Sequence, residues 1–312
     1  MTPDQLHVFA ARSNPVRWAT PDKVFNEWAQ HMLDSGVSLT VIELAYGERP
    51  FTCDLPHVNH IGVRGKTWCW SKENLLNIGI QRTPQAKYIS WIDTDVFFRR
   101  PDWASDTIHA LQNWDIIQPW RHAYDLGPND EHMASHVSFC SQFHSGQPVA
   151  PTSANFWKHD NGPYEYPHSG YAWSATRQAI DWVGGLFEHG GMGSGDHHMA
   201  LSLVGASDKS LPGGVSSSYR DAVKQWESRA LNHINKNIGF IQGTIEHRFH
   251  GKKAQRGYTS RWDMFIKHGF DPFTDLKRNS QGVMEWAGNK PFLKQEFERY
   301  LMSRNEDCNS LN

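Results

Sequence analysis

The feature that most constrains the fold of this chain is the alternation of strand and helix signals through residues 1–120. Leu6 to Ala11 (LHVFAA) is a short apolar run closed by Ser13, Asn14 and Pro15, the pattern of a buried strand ending in a turn. Thr20-Pro21-Asp22 predicts a helix start, with Thr20 as N-cap and Pro21 at the first helical position. One face of that helix carries Val24, Phe25, Trp28 and Met32, and Gly36 stops it. Ser38 to Ala45 (SLTVIELA) reads as a second strand. Residues 68–80 read as a helix with Trp68, Leu75, Leu76 and Ile80 near helical spacing. Tyr88 to Ile92 (YISWI) is a third strand, 101–113 is helical, and Asp115 to Gln118 is a further strand. Such alternation predicts an α/β fold with a mostly parallel central sheet flanked by helices. Ligands of these sheets sit at the carboxyl ends of the strands, which places Ser13-Asn14 and Asp93-Thr94-Asp95 on one edge.

The pattern weakens from about residue 121 to 170, where His, Ser, Pro and Gly dominate; a long irregular segment inside a domain is either functional or wrongly assigned. Order returns with a strand in GYAWSA and a helix in TRQAIDWV. A flexible turn at Gly190 to Gly195 follows, and a short helix starts at Asp196. Beyond a polar stretch at 207–218 come a helix to about Asn235, a strand at Ile238 to Gln242, and a final helix from Phe292 to Ser303. No linker interrupts the chain, so 1–120 and 121–312 read as two halves of one continuous domain with a decorated C-terminal half.

Charge bounds the function. The 312 residues carry 31 Lys and Arg against 33 Asp and Glu, a net charge of −2. A protein whose affinity rests on neutralising a phosphate backbone is usually strongly basic, so nucleic acid would have to be met by a local patch. No stretch approaches the ~20 consecutive apolar residues of a membrane helix, and the N-terminus lacks the basic start and apolar run of a secretory signal. Cys53, Cys69, Cys140 and Cys308 are scattered with no CxxC pair, which excludes a cysteine zinc cluster and makes a reducing cytoplasm the expected compartment. The 14 Trp and 18 His stand out: Trp suits flat amphipathic ligands, and His supplies metal ligation and proton transfer near neutral pH, although most of them are expected to be core or surface filler.

Three constellations carry chemistry. In Trp91 to Phe98 (WIDTDVFF), two carboxylates one residue apart lie between apolar runs. At a strand end Asp93 and Asp95 would point to the same side, where they repel unless a hard cation such as Mg2+ or Mn2+ lies between them. A turn with two exposed aspartates is the plain alternative, disfavoured by the tight apolar flanks. In Glu246 to Lys253 (EHRFHGKK), with Arg256, Tyr258 and Arg261 beyond, an imidazole of His247 or His250 can fill a metal position, and the cations can neutralise a diphosphate. A basic surface segment is the alternative there, and HExxH is absent. In Gly190 to His198 (GGMGSGDHH), Asp196 at a helix start can accept a proton from a hydroxyl, or can simply cap the helix. GxxxxGK(S/T) and a strand-linked GxGxxG are both absent, which weakens ATP-loop and dinucleotide readings.

In this order the three constellations resemble a glycosyltransferase of the GT-A type, over most of the chain. KENLLNIGI (Lys72 to Ile80) is similar to the segment before the DxD strand of that family, YISWIDTDVFF to the metal-binding strand, GYAWSATRQAID and GGMGSGDHHMA to the acceptor-side strand and helix, and HRFHG to the late His that completes the metal site. The chain departs from the family where Gly195-Asp196 replaces an acidic pair. The resemblance implies a nucleotide-sugar-binding half at 1–120 and an acceptor-binding, metal-completing half at 121–312. It implies a metal site of Asp93, Asp95 and His250 holding Mn2+ or Mg2+. Ser13, Asn14, Asp93, Lys252 and Arg256 would face a nucleotide-diphosphate sugar, most simply a UDP-sugar. Asp196 would be the base, and Trp173, His197 and His198 would line the acceptor pocket. The acceptor hydroxyl would belong to a saccharide, a protein or a modified nucleobase in DNA; transfer would be inverting, with a retaining outcome left open. Paired aspartates also suit a metal-dependent nucleotidyl or phosphoryl transferase, and the Trp count suits a noncatalytic carbohydrate binder.

Overall fold

In the computed structural model, which describes residues 4–150 and 166–308, four strands open the chain: β1 (Leu6–Ser13), β2 (Ser38–Tyr46), β3 (Asn59–Gly65) and β4 (Tyr88–Ile92). Short strands β5 (Val96–Phe98), β6 (Ile116–Gln118), β7 (His122–Leu126) and β8 (His132–Val137) follow. Then come β9 (Ala172–Thr176), β10 (Ile238–Phe240), β11 (Thr244–His247), β12 (Leu276–Arg278) and β13 (Met284–Trp286). The main sheet has the order β10-β6-β9-β4-β1-β2-β3. Its pairings are parallel except those of β9, which runs antiparallel between β4 and β6.

Both faces of this sheet are covered because side chains alternate along each strand. Val8 and Ala10 of β1 pack on one side with Phe25, Trp28 and Met32 of the helix Ala19–Asp34. Phe9 and Ile42 pack on the other with Leu75, Leu76 and Ile80 of the helix Lys72–Gln81. Gly79 lets that helix sit directly on the sheet, since a Cβ there would strike Ile42. Each such aliphatic or Phe side chain contributes about 1.5–3 kcal/mol by leaving water; truncating the fully buried Trp28 to Ala would cost about 3–5 kcal/mol.

The first helix begins at Ala19, and Thr20 is not its cap. Asp307, from the other end of the chain, accepts the N–H groups of Ala19 (3.0 Å) and Thr20 (2.6 Å) and satisfies two of the free donors there. The second helix begins at Lys72, so Trp68 and Trp70 lie before it. β3 escaped detection because its sequence, NHIGVRG, is polar and half-buried. The weakly patterned segment builds β7, β8 and the helix Phe139–His144, whose cap Ser138 accepts the Ser141 N–H. Residues 151–165 of that segment lie outside the described residues. A second sheet, β5-β11-β7-β8, joins this segment to residues 244–247 and lies beside the carboxyl end of β4. Among the described residues no helix is long and apolar enough to cross a membrane.

Candidate metal and nucleotide site

Where β4 ends, the chain turns through Asp93-Thr94-Asp95 into β5. The Asp93 N–H donates to the Tyr171 carbonyl (2.8 Å) and the Val96 N–H to the Asp93 carbonyl (3.1 Å), which fixes the turn. β11 pairs with β5 so that His247 lies opposite Val96, and the Arg248 N–H donates to the Asp95 carbonyl (2.8 Å). The late His segment is thus fastened onto the DTD turn by backbone bonds.

Three side chains converge there. His250 Nε2 lies 2.6 Å from Asp95 Oδ2, and His247 Nε2 lies 3.5 Å from the same oxygen. One donor atom from each of Asp95, His247 and His250 falls within 4.8 Å of the others. Burial alone would raise the Asp95 carboxyl, but His247 and His250 hold it well below the usual carboxylate range. Burial would lower His247, yet Asp95 and Asp125 beside it raise it above the ordinary imidazole value. Two features fit the binding of a cation. Asp95 Oδ1 is buried without a hydrogen-bond partner among the described residues, a costly arrangement for a carboxylate oxygen. His250 Nε2 also lies 2.9 Å from Arg256 Nη2, and one nitrogen cannot donate to Asp95 and accept from Arg256 together. A carboxylate and two imidazoles suit a divalent ion such as Mn2+. Asp93 lies outside this donor set, contrary to expectation: it forms an ion pair with Lys72 across the cleft, and burial raises its carboxyl.

Two adjoining cavities of about 210 Å³ each open over this cluster and share Lys72, Thr94, His250 and Arg304. The first lies against the end of β1. Ser13 is there, bonded to the Tyr46 hydroxyl (2.9 Å), and Asn14 clamps the loop by pairing with both backbone groups of Trp18. Arg12, Trp70, Ser71 and Arg304 line this cavity, and each keeps a polar atom just beneath its wall (Nη1, Nε1, Oγ and Nε) without a hydrogen-bond partner among the described residues. Such donors suit an anionic, oxygen-rich ligand. The second cavity is lined by Asp93, Asp95, Glu73, Asp196, Arg256 and Arg261.

At the second cavity the helix Gly195–Leu203 begins, after Ser194 in a left-handed conformation (φ 67°). Arg261 Nη2 donates to Ser194 Oγ (2.7 Å) and holds this turn, and Asp196 Oδ1 accepts the His197 N–H (2.8 Å). Asp196 presses on Gly170, where a Cβ would come within 2.7 Å of its Oδ2. Buried Glu73 lies beside it; burial pushes its carboxyl up to about 7, against the lowering pull of Lys72.

Several expected positions are corrected. Trp173 is 3% exposed, stacked on Trp91 at 6.4 Å and bonded to the Ser169 carbonyl, so it belongs to the core. His198 is 1% exposed and spans Ser210 Oγ (2.7 Å) and the Tyr219 hydroxyl (2.9 Å), a satisfied core histidine. His197 is buried against Tyr166, with burial pulling its imidazole down to about 4, and it does not line either cavity. Lys252 does not line them either; its neighbour Lys253 pairs with Asp125 instead. Lys72, Glu73, Arg12, Arg304 and Glu306 were not anticipated. The first two open KENLLNIGI, whose resemblance to the segment before the DxD strand assigned no role to either, and Glu306, 3.7 Å from His250 Nδ1, follows the final helix without any motif of its own. The cations and His250 hold the Glu306 carboxyl down to about 2 despite burial.

No protein-family model and no curated protein matches this chain. Among solved structures it is similar to the catalytic domain of Drosophila β1,4-galactosyltransferase 7 in complex with xylobiose, at 12% identity over 65% of this chain and 62% of that one, TM-score 0.34. The chain therefore spans less than two thirds of that domain. It is also similar to a mutant of the same enzyme in complex with manganese, UDP-Gal and xylobiose, at 10% identity over 92% and 96% of the two chains, TM-score 0.43. A third match is a glycosyltransferase involved in glycosylation of the major capsid of PBCV-1, at 9% identity over 81% and 97%, TM-score 0.31.

Proposed function

We propose that this chain is a GT-A-type glycosyltransferase that binds a nucleotide-diphosphate sugar, most simply a UDP-sugar, and transfers the sugar to a hydroxyl acceptor with inversion. The observation that carries this reading is the convergence of Asp95, His247 and His250 beside a cavity lined by Arg12, Ser71, Lys72 and Arg304. A divalent cation held by those three residues would offset the charge that builds on the leaving diphosphate.

The residues around it divide the remaining work. Arg12, Ser71 and Arg304 would hold phosphate and ribose oxygens. Lys72, held by Asp93 between the two cavities, would place positive charge where the glycosidic bond breaks. Asp196 would take the proton from the acceptor hydroxyl as the new bond to the sugar carbon forms and the bond to the diphosphate oxygen breaks. Glu73, kept protonated below about pH 7 by its burial, would donate a hydrogen bond at the same wall, the position an acidic side chain at 195 would otherwise supply.

The test is a screen of nucleotide sugars for thermal stabilisation and nucleotide release, with and without Mn2+. One nucleotide sugar stabilising the chain only with Mn2+, and released as nucleoside diphosphate, supports the reading. Release of sugar 1-phosphate or nucleoside monophosphate would favour a nucleotidyl or phosphoryl transferase. Saccharide binding that survives EDTA and Asp95→Ala would favour a noncatalytic binder.

A further inference from the structure

Beside the cleft, Asp125 on β7 is 5% exposed and engaged by four side chains. The parallel pairing of β7 with β11 places it directly opposite His247, whose other neighbour across β11 is Val96, the residue after Asp95. Asp125 Oδ1 lies 3.0 Å from His247 Nδ1 and also accepts the Tyr171 hydroxyl (2.6 Å). Asp125 Oδ2 accepts from His136 Nε2 (2.6 Å) and from the Lys253 ammonium. An ionised carboxylate only accepts, so the Nδ1 of His247 that faces it must carry a hydrogen. In the neutral ring the lone pair is then on Nε2, the nitrogen facing Asp95, so a cation that displaces hydrogen from this imidazole does so at Nε2.

We propose that Asp125 is a positioning residue of the metal site: it fixes the tautomer and ring orientation of His247 so that Nε2 is the ligand atom. This rests on the metal reading given above. Tyr171, His136 and Lys253 hold the carboxylate in turn. The strand register sets Asp125 directly opposite His247, and Asp95, in the turn just before β5, meets the other nitrogen of the same imidazole. Carboxylate partners of this kind orient metal-bound histidines and raise their basicity.

The test is Mn2+ binding to the full chain, read from the electron paramagnetic resonance signal of free Mn2+. In Asp125→Asn the amide can turn its NH2 toward Nδ1, which favours hydrogen on Nε2 and removes the ligand. Its Mn2+ affinity is expected to fall by about 10–100-fold. Asp181→Asn, at an exposed carboxylate on the helix Arg177–Val183, should bind Mn2+ within about threefold of wild type. Should Asp125→Asn fail to fold, 15N spectra of the His rings in the Zn2+-loaded wild type decide the matter. They are expected to show His247 with hydrogen on Nδ1 and metal on Nε2, and the opposite assignment would overturn the proposal. Wild-type Mn2+ binding with equal affinity in a folded Asp125→Asn overturns this inference alone. A wild type that binds no Mn2+ overturns the metal reading and this inference together.

Discussion

The carboxyl of Glu73 fills the space that a side chain at residue 195 would need: a Cβ on Gly195 would lie 2.6 Å from Glu73 Oε1 and 2.7 Å from its Cδ. The glycine and the buried acid are two halves of one packing solution, donated by the helices 195–203 and 72–81. Gly195→Ala is therefore expected to destabilise the fold by about 1–3 kcal/mol through overpacking. In a Glu73→Ala background the same change should cost clearly less. Denaturant unfolding of the four proteins of this double-mutant cycle measures the coupling, and additive effects would contradict it.

Glu73 also gives stability a pH dependence. Its carboxyl sits at about 7 in the folded chain against an ordinary 4.5. Between those values the folded protein keeps a proton that the unfolded chain has lost, so this contribution is complete below about pH 4.5 and is lost as pH rises through about 7. Glu73→Gln mimics the protonated form. It should match wild type at pH 5 and exceed it at pH 8 by about 1–3 kcal/mol, measured as unfolding free energy at the two values. Parallel stability curves would contradict this.

The C-terminal segment closes the first cavity. Asp307 caps the first helix, and Arg304 and Glu306 line the first cavity. Asp307→Ala should cost about 0.5–2 kcal/mol, the usual loss for a cap. Under the proposed function it should also weaken UDP binding, because the segment carrying Arg304 is loosened; calorimetric titration with UDP and Mn2+ checks this.

Asp196 can be tested from both sides of its contact. Asp196→Asn should lower transfer by about 10²–10⁴-fold while leaving donor binding intact. Gly170→Ala places a Cβ 2.7 Å from Asp196 Oδ2 and 3.0 Å from His168 Cε1, and should lower transfer in the same way by displacing the carboxylate. Normal turnover by Asp196→Asn would remove it from the role of base.

Much of the main sheet was legible because β1, β2 and β4 are apolar on both faces, which marks buried parallel strands without any knowledge of their neighbours. β3 and β8 are polar and partly exposed at sheet edges, and carry no such mark. In the site, the segments holding Asp95, His250 and Asp196 stood out because carboxylates or imidazoles interrupt ordered runs. The separation of Asp93 from the donor set did not, since a two-residue spacing says nothing of Lys72, which reaches Asp93 from another element. Trp173 and His198 were misplaced for a related reason. Residue type suggested ligand contact, but their partners, Trp91, Ser210 and Tyr219, are defined only by packing. Asp125 and Glu73 act through strand register and helix contact, and neither leaves a trace in local sequence.

Under the proposed function, Asp95, His247 and His250 hold a divalent cation that grips a diphosphate. Mn2+ titration in the presence of UDP tests it most directly, comparing wild type with Asp95→Asn and His250→Ala. Wild type is expected to bind Mn2+ and UDP cooperatively, and each variant, still folded, to lose Mn2+ affinity by more than about 100-fold, beyond the range of outer-shell losses. Equal binding of Mn2+ and UDP by wild type and both variants would contradict it.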